Sequence, residues 1–254
     1  MYLFGISVQW ISILLHAWIF VLIVRRGLSH RFPIFTAYIA YGVVEMVLRS
    51  IFLSNPAIYF YVFWITAPLE MTLMVLAAHE SFLRVFRGFY LLWWFRVLFP
   101  GAIAGSLVYS AWRGYTAPAF GASARGAAIV AAALAAQHVV LAIAILFFGL
   151  AMLLRVPRRI HEYRIILGFA ISALAVAFAG TVRSTFGTSF RFLSEDFPAV
   201  AYLVVLAVWL SAVLPTEPSS EVLQQGPSVA QLINEMRRQL AWVRTFLGRG
   251  SRPS

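Results

Sequence analysis

Ionisable side chains inside long apolar runs are where this sequence could do chemistry. Glu45, Glu70, His16 and His138 each sit near the middle of such a run. At about 1.5 Å rise per residue, all four fall within roughly 4 Å of one common depth. Charges in an apolar medium are costly and turn toward protein partners. Tyr38, Tyr41, Glu45 and Arg49 recur at helical spacing, which places them on one helix face. Glu45 also precedes Arg49 in the favourable i,i+4 order. This face is either an ion pair that fixes helix packing or a site for a ligand, ion or proton. Glu70 follows Pro68, whose ring frees the carbonyl of Trp64 from helical hydrogen bonding. A freed carbonyl near a carboxyl can hold an ion, or simply bend a helix. Arg183 is a further partner for Glu45 or for an anionic ligand. The candidate binding or ion-coupling residues are therefore Glu45, Arg49, Glu70, Arg183 and Tyr41. His16 and His138, at matching depth on different runs, offer axial ligands for one haem b.

The residues that are missing exclude more. All 20 basic residues are Arg. Without Lys there is no retinal or pyridoxal Schiff base and no phosphate-loop lysine. With 0 Cys there is no disulfide, thiolate nucleophile or cysteine-ligated cluster. Asp196 is the sole aspartate, so no carboxylate-rich metal site is expected. No H-E-x-x-H motif and no nucleophile–base–orienter set occurs, so an enzyme is the least expected class and no cofactor is required.

These groups must be positioned by elements that live in lipid. The chain has 254 residues, 62% hydrophobic and 11% charged. A soluble domain is nearer 45–50% apolar and about 25% charged. Runs of about 20 apolar residues suit a membrane span. They occur at 4–24, 33–53, 58–78, 89–110, 127–154, 165–186 and 197–214. The expected fold is an all-α membrane protein, a bundle of about seven transmembrane helices over residues 1–214. Residues 1–24 lack the basic start of a signal peptide and read as a retained helix.

Arginine placement sets the expected orientation. Arg25, Arg26, Arg31, Arg84, Arg87, Arg155, Arg158, Arg159 and Arg164 fall on one side with the tail arginines. Arg113, Arg125 and Arg191 fall on the other. The positive-inside rule puts the richer side, and the C-terminus, in the cytoplasm and the N-terminus outside. It also explains a net charge of +11 without nucleic acid. His30, His79 and His161 then belong to cytoplasmic loops. The Ala- and Gly-rich stripes Ala127/Ala131/Ala135 and Gly168/Ser172/Ala175/Ala179 read as helix–helix contacts.

Beyond Pro215 the character changes. Residues 215–227 form a Pro-rich linker, and Ser228 with Gln231 makes a capping box. Residues 228–248 read as a basic amphipathic helix on anionic inner-leaflet lipid, with a disordered end at 249–254. The alternative is docking of a cytoplasmic protein partner, because Ile233, Met236, Leu240, Val243 and Leu247 follow heptad spacing.

The strings Arg31-Phe32-Pro33-Ile34-Phe35, Tyr59 to Trp64 with Glu70, Phe82 to Arg87, and Val182-Arg183-Ser184 through Phe197 give the chain a resemblance. It is similar to small seven-helix membrane proteins abundant in acidobacterial genomes. The resemblance covers the bundle more than the tail, implies a bacterial inner-membrane location, and carries no catalytic role with it. The expected function is a membrane sensor or binding module that docks through its tail. The alternatives are a small transporter using Glu45 and Glu70, or a haem- or quinone-binding electron carrier.

Overall fold

The computed structural model describes residues 2–91, 96–97, 100–105, 108–109, 112, 124–153, 160–186, 190, 192 and 196–214. Among these there is no β-strand. Helix α1 spans Tyr2–Arg25. Gly27, at φ 66°, takes the left-handed conformation that ends it and opens the one-turn α2, Leu28–Arg31. Pro33 then starts α3, Pro33–Ile51. Pro56 starts α4, Pro56–Phe86, whose first turn is capped by Asn55 accepting from the amide of Ile58 at 3.3 Å. The remaining long helices are α5, Ala124–Leu153, α6, Ile160–Phe186, and α7, Phe197–Val213.

Neighbour relations close a ring. α1 packs on α3, α3 on α4, α4 on α5, α5 on α6, α6 on α7, and α7 back on α1, with α4 also touching α6 across the middle. Five helices are long and apolar enough to cross a membrane, and α7 is a shorter apolar helix. Large apolar side chains such as Trp10, Leu14, Trp18, Ile65 and Met152 point outward. In water this would be an aggregating surface; in lipid it is the solvated face.

The third expected span stops too early. α4 runs on through His79, Glu80 and Arg84 to Phe86, because Phe82, Val85 and Phe86 bury their side chains and keep the helix docked. His161 is likewise no loop residue: it lies in α6, is 3% exposed, and bonds the Ala212 carbonyl of α7 through Nδ1. Of the expected span 89–110, the described residues at 96–97, 100–105 and 108–109 are helical.

The ring is filled by aromatic side chains. Phe35, Tyr38, Phe169 and Trp209 meet edge to face, with centroids 5.1–6.1 Å apart. The Trp209 indole donates to the Ile165 carbonyl at 3.1 Å. One end of the bundle is then tied by charge. Arg31 bonds Glu162 at 3.0 Å, and Glu80 accepts the Phe35 amide at 3.0 Å, satisfying a first-turn N–H that α3 itself cannot pair. Arg26, His161 and Arg164 bond the last carbonyls of α7, from Ser211 to Leu214. Cations at a helix C-terminus complement its dipole.

Candidate functional site

Toward the opposite end, where α1 and α7 begin, the ring does not close completely. A cavity of about 460 Å³ is lined from α1 by Val8, Gln9 and Ser12, and from α3 by Tyr38, Gly42, Glu45, Met46 and Arg49. Its other walls are Glu70 and Met74, Gln137, then Ser172, Ala175 and Val176, and finally Pro198, Ala199 and Tyr202. The void has a sequence cause. The small residues Ser172 and Ala175 of α6, with Ala199 of α7, are too short to reach across.

The charged group in the cavity is a triad built from two helices. Glu45 and Arg49 form the i,i+4 ion pair, and Glu45 is only 3% exposed. The same Arg49 nitrogen, Nη2, lies 3.9 Å from Glu70 of α4. Arg49 also donates to the Thr66 hydroxyl at 3.2 Å and stacks over the Phe63 ring at 4.7 Å. The guanidinium is thus fixed on three sides, and Oε1 of Glu45 is the oxygen it pairs with. Glu45 and Glu70 therefore converge on one guanidinium nitrogen, the first tightly and the second loosely.

A second polar line runs deeper. Ser12 donates to the Val8 carbonyl at 2.8 Å, and His16 Nδ1 meets the Ser12 carbonyl at 3.2 Å. A carbonyl only accepts, so Nδ1 carries the proton and Nε2 is the acceptor. Tyr202 donates to that Nε2 at 3.0 Å. The result is a bonded line from Ser12 through His16 to Tyr202. Gly42 lets the imidazole lie against α3, since a Cβ there would stand 3.1 Å from the ring.

The structure therefore brings together three of the five residues singled out from sequence: Glu45, Arg49 and Glu70. Tyr41 lies beside the cavity rather than in it, its hydroxyl donating to the Thr66 carbonyl at 2.8 Å. Arg183 belongs to α6, with its side chain outside the described residues. Residues 228–248, where a tail helix is expected, also lie outside them. Neither His16 nor His138 lines the cavity: His16 is held by Ser12 and Tyr202, and His138 meets Tyr109 edge-on at 5.2 Å. Sequence reasoning missed Gln9, Ser12, Gln137 and Tyr202. The available signal was neutral polar groups within apolar runs, which also need partners in lipid.

Fold and site define a membrane-type helical bundle with an internal polar cavity. Compared with protein-family models, curated proteins and solved structures, the chain matches none.

Proposed function

We propose that this chain is an integral membrane sensor or binding module whose ligand occupies the cavity around Glu45, Arg49 and Glu70. The observation that carries this reading is the cavity itself. Its volume lies within the roughly 300–1,000 Å³ of small-molecule sites, and it pairs apolar walls with a few convergent polar groups. A bundle needing Glu45–Arg49 only as a structural pair has no use for open space around it. In this reading the chain has seven spans in a bacterial inner membrane. The cavity end faces outward, and residues 215–254 pass occupancy to a cytoplasmic partner.

The chain's lack of Cys makes the test clean. A thiol introduced by Ser172→Cys should react with a small water-soluble methanethiosulfonate reagent added outside intact cells. A thiol unreactive from both faces of the membrane would sink the proposal. Deleting 228–254 should abolish recovery of a cytoplasmic partner while the bundle still folds.

The convergence of Glu45 and Glu70 on one Arg49 nitrogen favours one second reading, a proton-coupled transporter, because two neighbouring carboxyl groups can hold and release one proton. Transport requires the same thiol to react alternately from either face. Labelling from one face alone selects the binding module.

A further inference from the structure

The charge and shape of the cavity narrow its occupant, provided that the cavity is a ligand site as proposed above. Among the described lining residues there are two carboxylates, Glu45 and Glu70, and one guanidinium, Arg49. Arg49 is already committed: it pairs tightly with Glu45, donates to Thr66 and stacks on Phe63. Glu70 is held only loosely, at 3.9 Å, with 36% of its side chain open. Glu45 is 3% exposed, and its Oε1 is the oxygen paired with Arg49. Among the described lining residues the carboxylates thus outnumber the cations by one, in surroundings where an uncompensated carboxylate is costly.

A proton would settle the charge without needing space. A metal ion lacks ligands, since no cluster of three or more His, Cys, Asp or Glu residues occurs among the described residues. The remaining volume is walled by Val8, Met46, Met74 and Val176, with Tyr38 and Tyr202 among the lining groups. Thioethers and alkyl groups suit an apolar body, and tyrosine rings attract a cation.

We infer that the cavity binds a small organic monocation, an amine with a compact apolar body, whose ammonium sits between Glu45 and Glu70. Such an amine is protonated at neutral pH, as a lysine side chain is. It supplies a second positive charge beside Arg49 and up to three donors. Its body displaces water from the apolar wall.

The test uses the full chain carrying Ser172→Cys, purified in detergent, and reads the labelling rate of the introduced thiol. The probes are phenethylamine, its alcohol counterpart 2-phenylethanol, and the anion 3-phenylpropionate. Phenethylamine should slow labelling at concentrations at least tenfold below those required of the other two. Glu70→Gln should remove that advantage, whereas Glu70→Asp, which keeps the charge, should retain most of it. Equal protection by the alcohol, or better protection by the carboxylate, overturns the cation assignment and leaves the cavity reading standing. The carboxylate result would mean that Arg183 or Arg49 governs the site. No protection by any probe, with a reactive thiol, overturns the cation assignment too. An unreactive thiol overturns the cavity reading along with it.

Discussion

The indole of Trp209 lies directly against the backbone of Gly168. A methyl group at position 168 would stand 2.7–2.8 Å from the Trp209 Cδ1 and Cε2 atoms. Trp209 is fully buried and bonds the Ile165 carbonyl one turn earlier on the same helix. This contact joins α6 to α7 below the cavity. Gly168→Ala should therefore cost about 1–3 kcal/mol, the usual range for overpacking. Gly168→Leu should prevent folding. Unfolding of detergent-solubilised protein monitored by tryptophan fluorescence measures both; an unchanged midpoint for Gly168→Ala would contradict the close contact.

The stripe that contains Gly168 shows what sequence could and could not reveal. Gly168, Ser172, Ala175 and Ala179 do form a small-residue face, as their spacing predicts, and Ala175 and Ala179 are buried. Spacing says nothing about what fills the room they leave. At Gly168 it is an indole; at Ser172 and Ala175 it is a cavity wall. Likewise the Glu45–Arg49 pair was legible because both residues lie on one helix, where geometry is fixed by i,i+4 spacing. The contact with Glu70 depends on how α3 meets α4, and the Tyr202–His16 bond spans 186 residues of sequence. His161 was misplaced because a basic residue beside arginines resembles a loop. Here its ring nitrogen ends a neighbouring helix instead.

Removing Arg49 should leave two carboxyl groups facing each other with no cation. Breaking a buried pair from one side costs about 3–5 kcal/mol, and partial exposure of Arg49, at 23%, moves the expected loss toward ~2–3 kcal/mol. Arg49→Ala should fall in that range. The double variant Arg49→Gln/Glu45→Gln should recover much of the loss, because no uncompensated charge remains on α3. A double-mutant cycle in chemical denaturant reads the coupling; additive losses would show that the ion pair is energetically idle.

Tyr202→Phe removes the donor to His16 Nε2. Hydrogen bonds within membrane bundles average about 0.6 kcal/mol, with a maximum near 1.7 kcal/mol. Loss of this one bond should thus cost ~1 kcal/mol. The imidazole NMR signals of His16 should shift in Tyr202→Phe and stay close to wild type in Tyr41→Phe, because Tyr41 bonds Thr66 instead. Equal shifts in both variants would break the assignment of this line.

At the other end of the bundle, the final carbonyls of α7 are held by three side chains: Arg26 from the turn just beyond α1, and His161 and Arg164 of α6. Each of those carbonyls lacks an intrahelical donor, so the side chains supply what the helix end requires. The clamp sits immediately before Pro215, where the proposed signalling tail begins. If occupancy of the cavity is to reach that tail, α7 is the direct route, since it contributes Tyr202 to the cavity and leads to Leu214 in the clamp. Arg26→Ala with Arg164→Ala should release the last turn of α7 and accelerate amide exchange at 211–214 at least tenfold, equivalent to about 1.4 kcal/mol of local protection. Exchange around Tyr202 should stay unchanged, because His16 and Trp209 hold that segment independently. Unchanged exchange at 211–214 would mean that the helix end is secured by packing alone, with the arginines serving only the membrane interface.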